Sequence, residues 1–313
     1  MCARDATESE EEPPGPAGRS DLGLTAVSAL HGFGIVPDKV TRLRNLTRCA
    51  VFKVIAQGQT YALKLYPREY DAAELGQEIE FVRQLKRRGC SVPEYRTAVD
   101  GALYVVTRSG VRAAVYEWVQ GRCLSVLDDR RLVLVANLLV AIHGSACGPI
   151  GTRSDGWVWT ETLKCLKGIR PPSDLKERML RVTRAGRPWS ADERLILCHG
   201  DCCPKNVLWP AGSSVPVLID FTNSISAPAE WELAVFCADV FISAANPTEL
   251  DSLSRKVAAA YVTAGGTCDF GRVQRFLATA VVQRAILKAF NCAGHEKRAI
   301  WQRLRRTGST FAA

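Results

Sequence analysis

The chain has no apolar run of the roughly 20 residues that a bilayer-spanning helix needs. Leu132 to Ile142 and Phe276 to Val282 stop well short and read as core helices. Its N-terminus is acidic and Pro-containing, without the basic-then-apolar order of a secretory signal, so a cytoplasmic protein with no membrane partner is expected. Twelve cysteines are present, but they lack both the regular spacing of a disulfide framework and the paired C-x2-C of a structural zinc site. Several lie inside apolar runs and read as buried, reduced thiols. A formal charge of +9 invites a nucleic-acid reading, yet no RNA-binding signature or zinc-finger spacing accompanies it, and the basic residues are dispersed along helices. No nucleic-acid partner is expected; a phosphate-binding cleft accounts for part of the charge. Between Lys39 and Val54 there is no Gly-x-Gly-x-x-Gly.

The most informative stretch runs from Leu195 to Asp220. An apolar run leads into His199-Gly200-Asp201, Asn206 follows five positions after that Asp, and Asp220 closes the next apolar run. Val207-Leu208-Trp209 and Val215 to Ile219 flank a turn-forming Pro-Ala-Gly-Ser-Ser segment and read as a hairpin. A hairpin brings its ends together, so Asn206 and Asp220 are expected to converge near Asp201. Two oxygen-bearing side chains beside a third carboxylate suit Mg²⁺, a hard ion that takes a few protein oxygens plus water and phosphate. Asp201 is then left to accept a proton. Two rival readings use the same residues: polar side chains that merely punctuate turns, and a metal-thiolate site of Cys198, His199, Cys202 and Cys203.

Residues 1–21, rich in Glu and Pro, cannot bury enough apolar surface to order themselves and are set aside as an acidic, disordered tail. Leu22 to Phe33 reads as a short helix. Val51 to Ala56 and Thr60 to Tyr66 flank Gln57-Gly58-Gln59 as a hairpin. Alternation puts Tyr61, Leu63 and Leu65 on one face of its second strand and Ala62, Lys64 and Tyr66 on the other. In the helix from Ala73 to Arg88, Glu78 lies on the apolar side with Leu75, Val82 and Leu85 and needs a cation. Glu80, about 200° around the helix from it, points to solvent. Glu78 is therefore paired with Lys64. Ala102 to Arg108 and Arg112 to Val119 read as a further hairpin, and Leu132 to His143, Leu250 to Thr263 and Arg272 to Phe290 as helices, with another beginning within Ser226 to Ala234. His143 and Trp159 read as packing residues, and the basic stretch from Lys297 to Arg306 as a solvated helix face.

The order strand lysine, helix glutamate, H-G-D-x4-N and strand-ending Asp resembles the aminoglycoside phosphotransferase and choline kinase-like family of small-molecule kinases. The resemblance runs from about Lys39 to Ala245. It implies an α+β, two-lobed protein-kinase-like fold: an N-lobe at 22–119 built on a small antiparallel β-sheet, and a mainly α-helical C-lobe at 120–313. It implies phosphoryl transfer from ATP or GTP to a hydroxyl of a small molecule, with Asp201 as base and Asn206 and Asp220 holding Mg. Ala62 would lie against adenine, Lys64 on the nucleotide phosphates with Glu78 behind it, and the backbone of Glu117 and Val119 along the adenine edge. Asn45-Leu46-Thr47-Arg48 stands nearest to the family's phosphate loop, and Glu232 takes an acidic position with a structural role in holding the catalytic loop. Aminoglycosides, amino alcohols and homoserine-like amino acids are all open as acceptors, although the basic C-terminal region sits poorly with cationic substrates. A nucleotide-binding pseudokinase and a protein kinase are the alternatives; the latter lacks an Asp-Phe-Gly to Ala-Pro-Glu activation segment.

Overall fold

The computed structural model describes residues 19–43, 49–124, 127–145, 156–185, 188–190, 193–243 and 249–307, with backbone alone at 19–21 and 156–158. The expected tail, apart from its last three residues, and the Asn45-Leu46-Thr47-Arg48 loop lie outside these residues, as does the Trp157 side chain. The chain forms two compact units. One runs through Arg122 and takes in Pro210–Gly212; the other comprises Cys123–Trp209 and the residues from Ser213 onward.

The N-terminal unit is a five-stranded antiparallel sheet in the order β1-β2-β3-β5-β4. Its strands are β1 (Lys39–Arg42), β2 (Ala50–Ala56), β3 (Gln59–Tyr66), β4 (Val105–Val106) and β5 (Arg112–Glu117). Gln57 and Gly58, both at positive φ (52° and 75°), make the two-residue turn whose twist matches the strands it joins. Period-2 alternation then divides the sheet. Phe52, Val54, Leu63, Leu65, Ala113 and Val115 form a core with Ala26, Ala29 and Leu30 of α1 (Arg19–Gly32). On the other face, Lys64 and Tyr66 meet Glu78 of α2 (Ala72–Arg87). Asp71 caps α2 by accepting the N–H groups of Ala73 and Glu74, and Gly89, at φ 78°, follows its end. The strand expected from Ala102 is reduced to Val105–Val106. Ala102 is used instead in a turn, accepting the Ala98 N–H at 2.8 Å and donating its own N–H to Asp100.

β6 (Gly121–Cys123) carries the chain out of this unit. The C-terminal unit is mainly helical: α3 (Asp129–His143), α4 (Gly156–Gly168), α5 (Ser173–Ala185), α6 (Ala229–Ser243), α7 (Leu250–Thr263), α8 (Phe270–Asn291) and α9 (Gly294–Arg306). Helix α6 is apolar almost all round and is buried along nearly its whole length, so it forms the centre of the unit against α8. Trp231 of α6 packs against Trp189 and Trp159, at centroid distances of 5.1 and 5.6 Å, which places Trp159 in the core. Helix α9 turns Ile300, Trp301 and Leu304 inward; on its polar side Arg305 pairs with Asp174 and Arg303 reaches the Ile242 carbonyl. The helix expected to begin within Ser226 to Ala234 starts at Ala229, after Pro228, while Ser226 and Ala227 at the head of that segment belong to β10 (Ile225–Ala227), paired with β7 (Ile196–Cys198). β8 (Val207–Pro210) and β9 (Val217–Leu218) form the expected hairpin, with Val207 opposite Leu218. No described helix is long and apolar enough to cross a membrane.

Candidate active site

Residues 199–206 leave β7 as a loop whose backbone is held from several sides. Glu232, from the first turns of α6, accepts the N–H groups of both His199 and Gly200 at 2.7 Å. Its Oε2 also accepts from His143 Nε2 at 3.0 Å, and His143 Nδ1 in turn takes the Tyr261 hydroxyl at 2.8 Å. Burial pushes the Glu232 carboxyl up, but its interactions with His143 and His199, the His143 hydrogen bond foremost, outweigh burial and hold it below the usual range. His199 accepts the Asp201 N–H on Nδ1 (3.1 Å) and donates from Nε2 to the Ile219 carbonyl (2.9 Å), tying the loop to the end of β9. Gly200 is required: its φ is 78°, and a Cβ there would lie 1.9 Å from the Asn223 carbonyl oxygen.

These bonds also weigh against a metal-thiolate centre. Both His199 nitrogens are committed within the protein, and burial pushes the thiols of Cys198, Cys202 and Cys203 well above their ordinary range. His143, Cys198 and Glu232 do lie within 4.8 Å of one another. Glu232, however, already accepts three N–H groups, and the Cys198 thiol donates to the Ala227 carbonyl. The trio is a hydrogen-bonded brace for the loop.

Asp201 is buried at the centre of the loop. Asn206, ending a 3-10 turn from Pro204, donates its amide to the Asp201 carbonyl (2.9 Å) and to Oδ2 (3.2 Å). With the Asn206 nitrogen committed in this way, its amide oxygen is the end left for a hard cation. The Ile219 N–H bonds the Asn206 carbonyl at 2.9 Å, so Asp220 follows directly on the residue that pairs with Asn206. Asp220 is one of two described non-glycine residues at positive φ (64°, ψ 68°), a strained conformation of the kind that collects at functional sites. Its Oδ1 accepts the Thr222 hydroxyl at 2.7 Å.

Four further charged groups, not anticipated from the sequence, complete the surroundings of Asp201. Arg284 of α8 puts Nη1 2.6 Å from Asp201 Oδ1, an ion contact that is not aligned as a hydrogen bond. The other side of the same guanidinium bonds Asp239 of α6 through Nε (2.9 Å) and Nη2 (2.7 Å), and Lys288 adds a second cation to Asp239 at 3.1 Å. Burial pushes Asp239 up, but Arg284 and Lys288 prevail and bring it down to about 2. A signal for Arg284 and Asp239 was present, since each is a single charge inside an apolar helical run. Lys205, within the loop, lies 3.8 Å from Asp201 Oδ2, and that charge raises its pKa.

In the N-terminal unit, Lys64 and Glu78 are both buried and lie 3.5 Å apart. Lys64 does not satisfy Glu78 by itself. The hydroxyls of Tyr66 (2.9 Å) and Tyr95 (3.3 Å) also donate to Oε1, and that of Tyr70 (3.2 Å) donates to Oε2. Glu80 lies on the exposed side of the helix, bonded to Arg87 and Gln84. Ala62 is buried and pairs with Lys53 and Tyr116 across the sheet. The Glu117 N–H is taken by the Glu94 carbonyl at 2.8 Å, and its side chain reaches Lys86; Val119 follows β5 in the segment before β6.

A small antiparallel sheet with its lysine–glutamate pair, followed by a mainly helical unit that carries the His-Gly-Asp loop, defines the kinase-like fold of enzymes that phosphorylate small molecules. The chain belongs to the phosphotransferase enzyme family, whose pattern it matches over residues 40–286. It is similar to the aminoglycoside 3'-phosphotransferase of Streptomyces fradiae, at 32% identity over 179 residues, which cover 50% of this chain and 61% of that protein. The same-named enzyme of Streptomyces ribosidificus is 30% identical over 207 residues, 61% of this chain and 76% of that one. The solved structure of amicoumacin kinase hAmiN in complex with AMP-PNP, Ca²⁺ and Ami superposes with a TM-score of 0.72 over 93% of both chains at 16% identity, a likeness of fold.

Proposed function

We propose that the protein transfers the γ-phosphoryl group of ATP or GTP to a hydroxyl of a small molecule, with Asp201 as the base. The observation that carries this reading is the held loop: Asp201 Oδ2 sits beside Asn206, which is bonded through its backbone to Ile219, the residue before Asp220. Phosphoryl transfer asks little covalent chemistry of a protein. It needs an oriented acceptor, a proton acceptor, and positive charge on the phosphates. The donor set of Asn206 and Asp220 fits Mg²⁺, which takes one or two carboxylate or amide oxygens together with water and phosphate. When bound, the ion would supply the charge that neutralises the phosphates. Asp201 would accept the hydroxyl proton on Oδ2 as the oxygen attacks phosphorus. The superposed hAmiN structure, which holds AMP-PNP and Ca²⁺, supports a nucleotide and a divalent cation as the partners.

In the N-terminal unit, Lys64 is assigned to the nucleotide phosphates, with Glu78 holding it in place. Ala62 is assigned to the adenine face. Glu117 would offer its carbonyl, because its N–H is already used, and Val119 its N–H. The names of the two Streptomyces relatives put aminoglycosides first among acceptors to be tried. Near Asp201, the acid Asp239 is already neutralised by Arg284 and Lys288, so it offers little to a polycationic substrate. Amino alcohols and homoserine-like amino acids belong in the same screen. The test measures nucleoside diphosphate release with ATP and with GTP, in Mg²⁺, across these acceptors. Acceptor-dependent release accompanied by a phosphorylated product is expected. Release without a product, or none with any acceptor, counts against the reading.

A further inference from the structure

The proposed mechanism uses Asp201, Asn206 and Asp220 and leaves a buried ionic chain behind Asp201 without a task. Arg284 touches Asp201 Oδ1 with one nitrogen and Asp239 with the other two, and Lys288 closes the far side of Asp239. All of it lies inside the C-terminal unit, on α6, α8 and the loop, and Asp239 and Arg284 are both buried. Stability alone explains such a chain poorly. Desolvating several charges costs so much that replacing a buried ion pair with apolar residues of similar volume is often neutral or favourable. Geometry explains it better. A planar guanidinium can hold two carboxylates at fixed angles, which an ammonium cannot do.

We propose, building on the phosphotransferase reading, that Arg284 anchored by Asp239 is a positioning residue: it pins Oδ1 of Asp201 so that Oδ2 is always the oxygen presented to the acceptor hydroxyl. A carboxylate has two equivalent oxygens and a soft terminal torsion. Asn206 touches Oδ2 from the loop side at 3.2 Å, and Arg284 fixes the opposite oxygen from the helix side. With Arg284 removed, the carboxylate is held at Oδ2 alone, by Asn206 at 3.2 Å and Lys205 at 3.8 Å, and can turn about that oxygen; a reacting atom displaced by about 1 Å costs on the order of 100-fold in rate.

The test compares Arg284→Gln, Arg284→Lys and Asp239→Asn with wild type and with Asp201→Asn. The readouts are kcat, KM for nucleotide, melting temperature, and the orientation of the Asp201 carboxylate in crystals of the variants. Arg284→Gln is expected to lower kcat by roughly 10- to 100-fold while KM for nucleotide stays within about twofold. Arg284→Lys should lose less, Asp239→Asn should lose kcat in the same direction, and the Asp201 carboxylate should be rotated or disordered in Arg284→Gln. A folded Arg284→Gln with wild-type kcat would overturn the proposal, as would parallel losses in nucleotide affinity and kcat. If neither Arg284→Lys nor Asp239→Asn folds, the chain of charges is a structural element and the positioning role is wrong. A wild-type protein with no transfer activity defeats the underlying phosphotransferase reading. Active wild type, inactive Asp201→Asn and fully active Arg284→Gln defeat this proposal alone.

Discussion

Replacing Glu78 by alanine is the sharpest perturbation of the N-terminal unit. The substitution deletes the buried carboxylate that accepts from Lys64, Tyr66, Tyr70 and Tyr95. One ammonium and three hydroxyls then lose an acceptor in a site closed to water. Removing one partner of a buried ion pair typically costs about 3 to 5 kcal/mol, and an orphaned buried hydroxyl adds to that figure. At a few degrees per kcal/mol for a domain of this size, the melting temperature should fall by roughly 10 °C or more. Glu80→Ala, which removes only a solvent-facing contact with Arg87 and Gln84, should change stability by less than about 1 kcal/mol. Tyr66→Phe should cost about 1 kcal/mol, one hydrogen bond of the set. Thermal unfolding of the three variants, together with kcat/KM for phosphoryl transfer, decides the matter. Glu78→Ala should lose both stability and transfer. If it stayed within 1 kcal/mol of wild type, or lost less than Glu80→Ala, the account of this buried cluster would be wrong.

Three further outcomes are expected. Asp220→Ala should abolish the Mg²⁺ dependence of nucleotide binding in calorimetry; an unchanged dependence would mean another residue holds the ion. Gly200→Ala, whose Cβ would meet the Asn223 carbonyl at 1.9 Å, should dismantle the loop and give a lower melting temperature with no transfer; wild-type activity would show that the backbone there yields. Asp239, held down to about 2 from the 3.8 ordinary for an aspartate, should contribute about 2 kcal/mol of stability at neutral pH. Because its folded pKa is depressed, that stability is present above pH 4 and is lost as pH falls from about 4 to 2. The acid limb of unfolding should therefore be shallower in Asp239→Asn, and an identical limb would refute the assignment.

Much of the local geometry was legible because it follows from period and spacing. Alternation in β3 put Lys64 opposite the face of Leu63 and Leu65, and the 3.6-residue period of α2 turned Glu78 inward and Glu80 outward, as the structure has them. The four residues between Asp201 and Asn206 are enough for the turn that brings the Asn206 amide back to the Asp201 carboxylate. Long-range convergence was not legible. Tyr70 and Tyr95 reach Glu78 from segments with no regular period, and Arg284 reaches Asp201 from a helix 83 residues downstream. Single charges inside apolar runs marked Arg284 and Asp239 as needing partners without saying which. Short strands were the other difficulty. β4 shrank because Ala102 was drawn into a turn, and Ser226 and Ala227 chose the edge of β7 over a helix that Pro228 could only begin.

The most direct test of the central claim is phosphorus transfer itself, with labelled γ-phosphate, Mg²⁺ and the best acceptor from the screen, compared between wild type and Asp201→Asn. Wild type should move label to the acceptor one for one with nucleoside diphosphate formed. Asp201→Asn should bind nucleotide as well as wild type but transfer about 10²- to 10⁴-fold more slowly, the range for losing a positioned base. An Asp201→Asn variant that transfers at the wild-type rate would contradict the account, as would a wild type that moves no label to any hydroxyl.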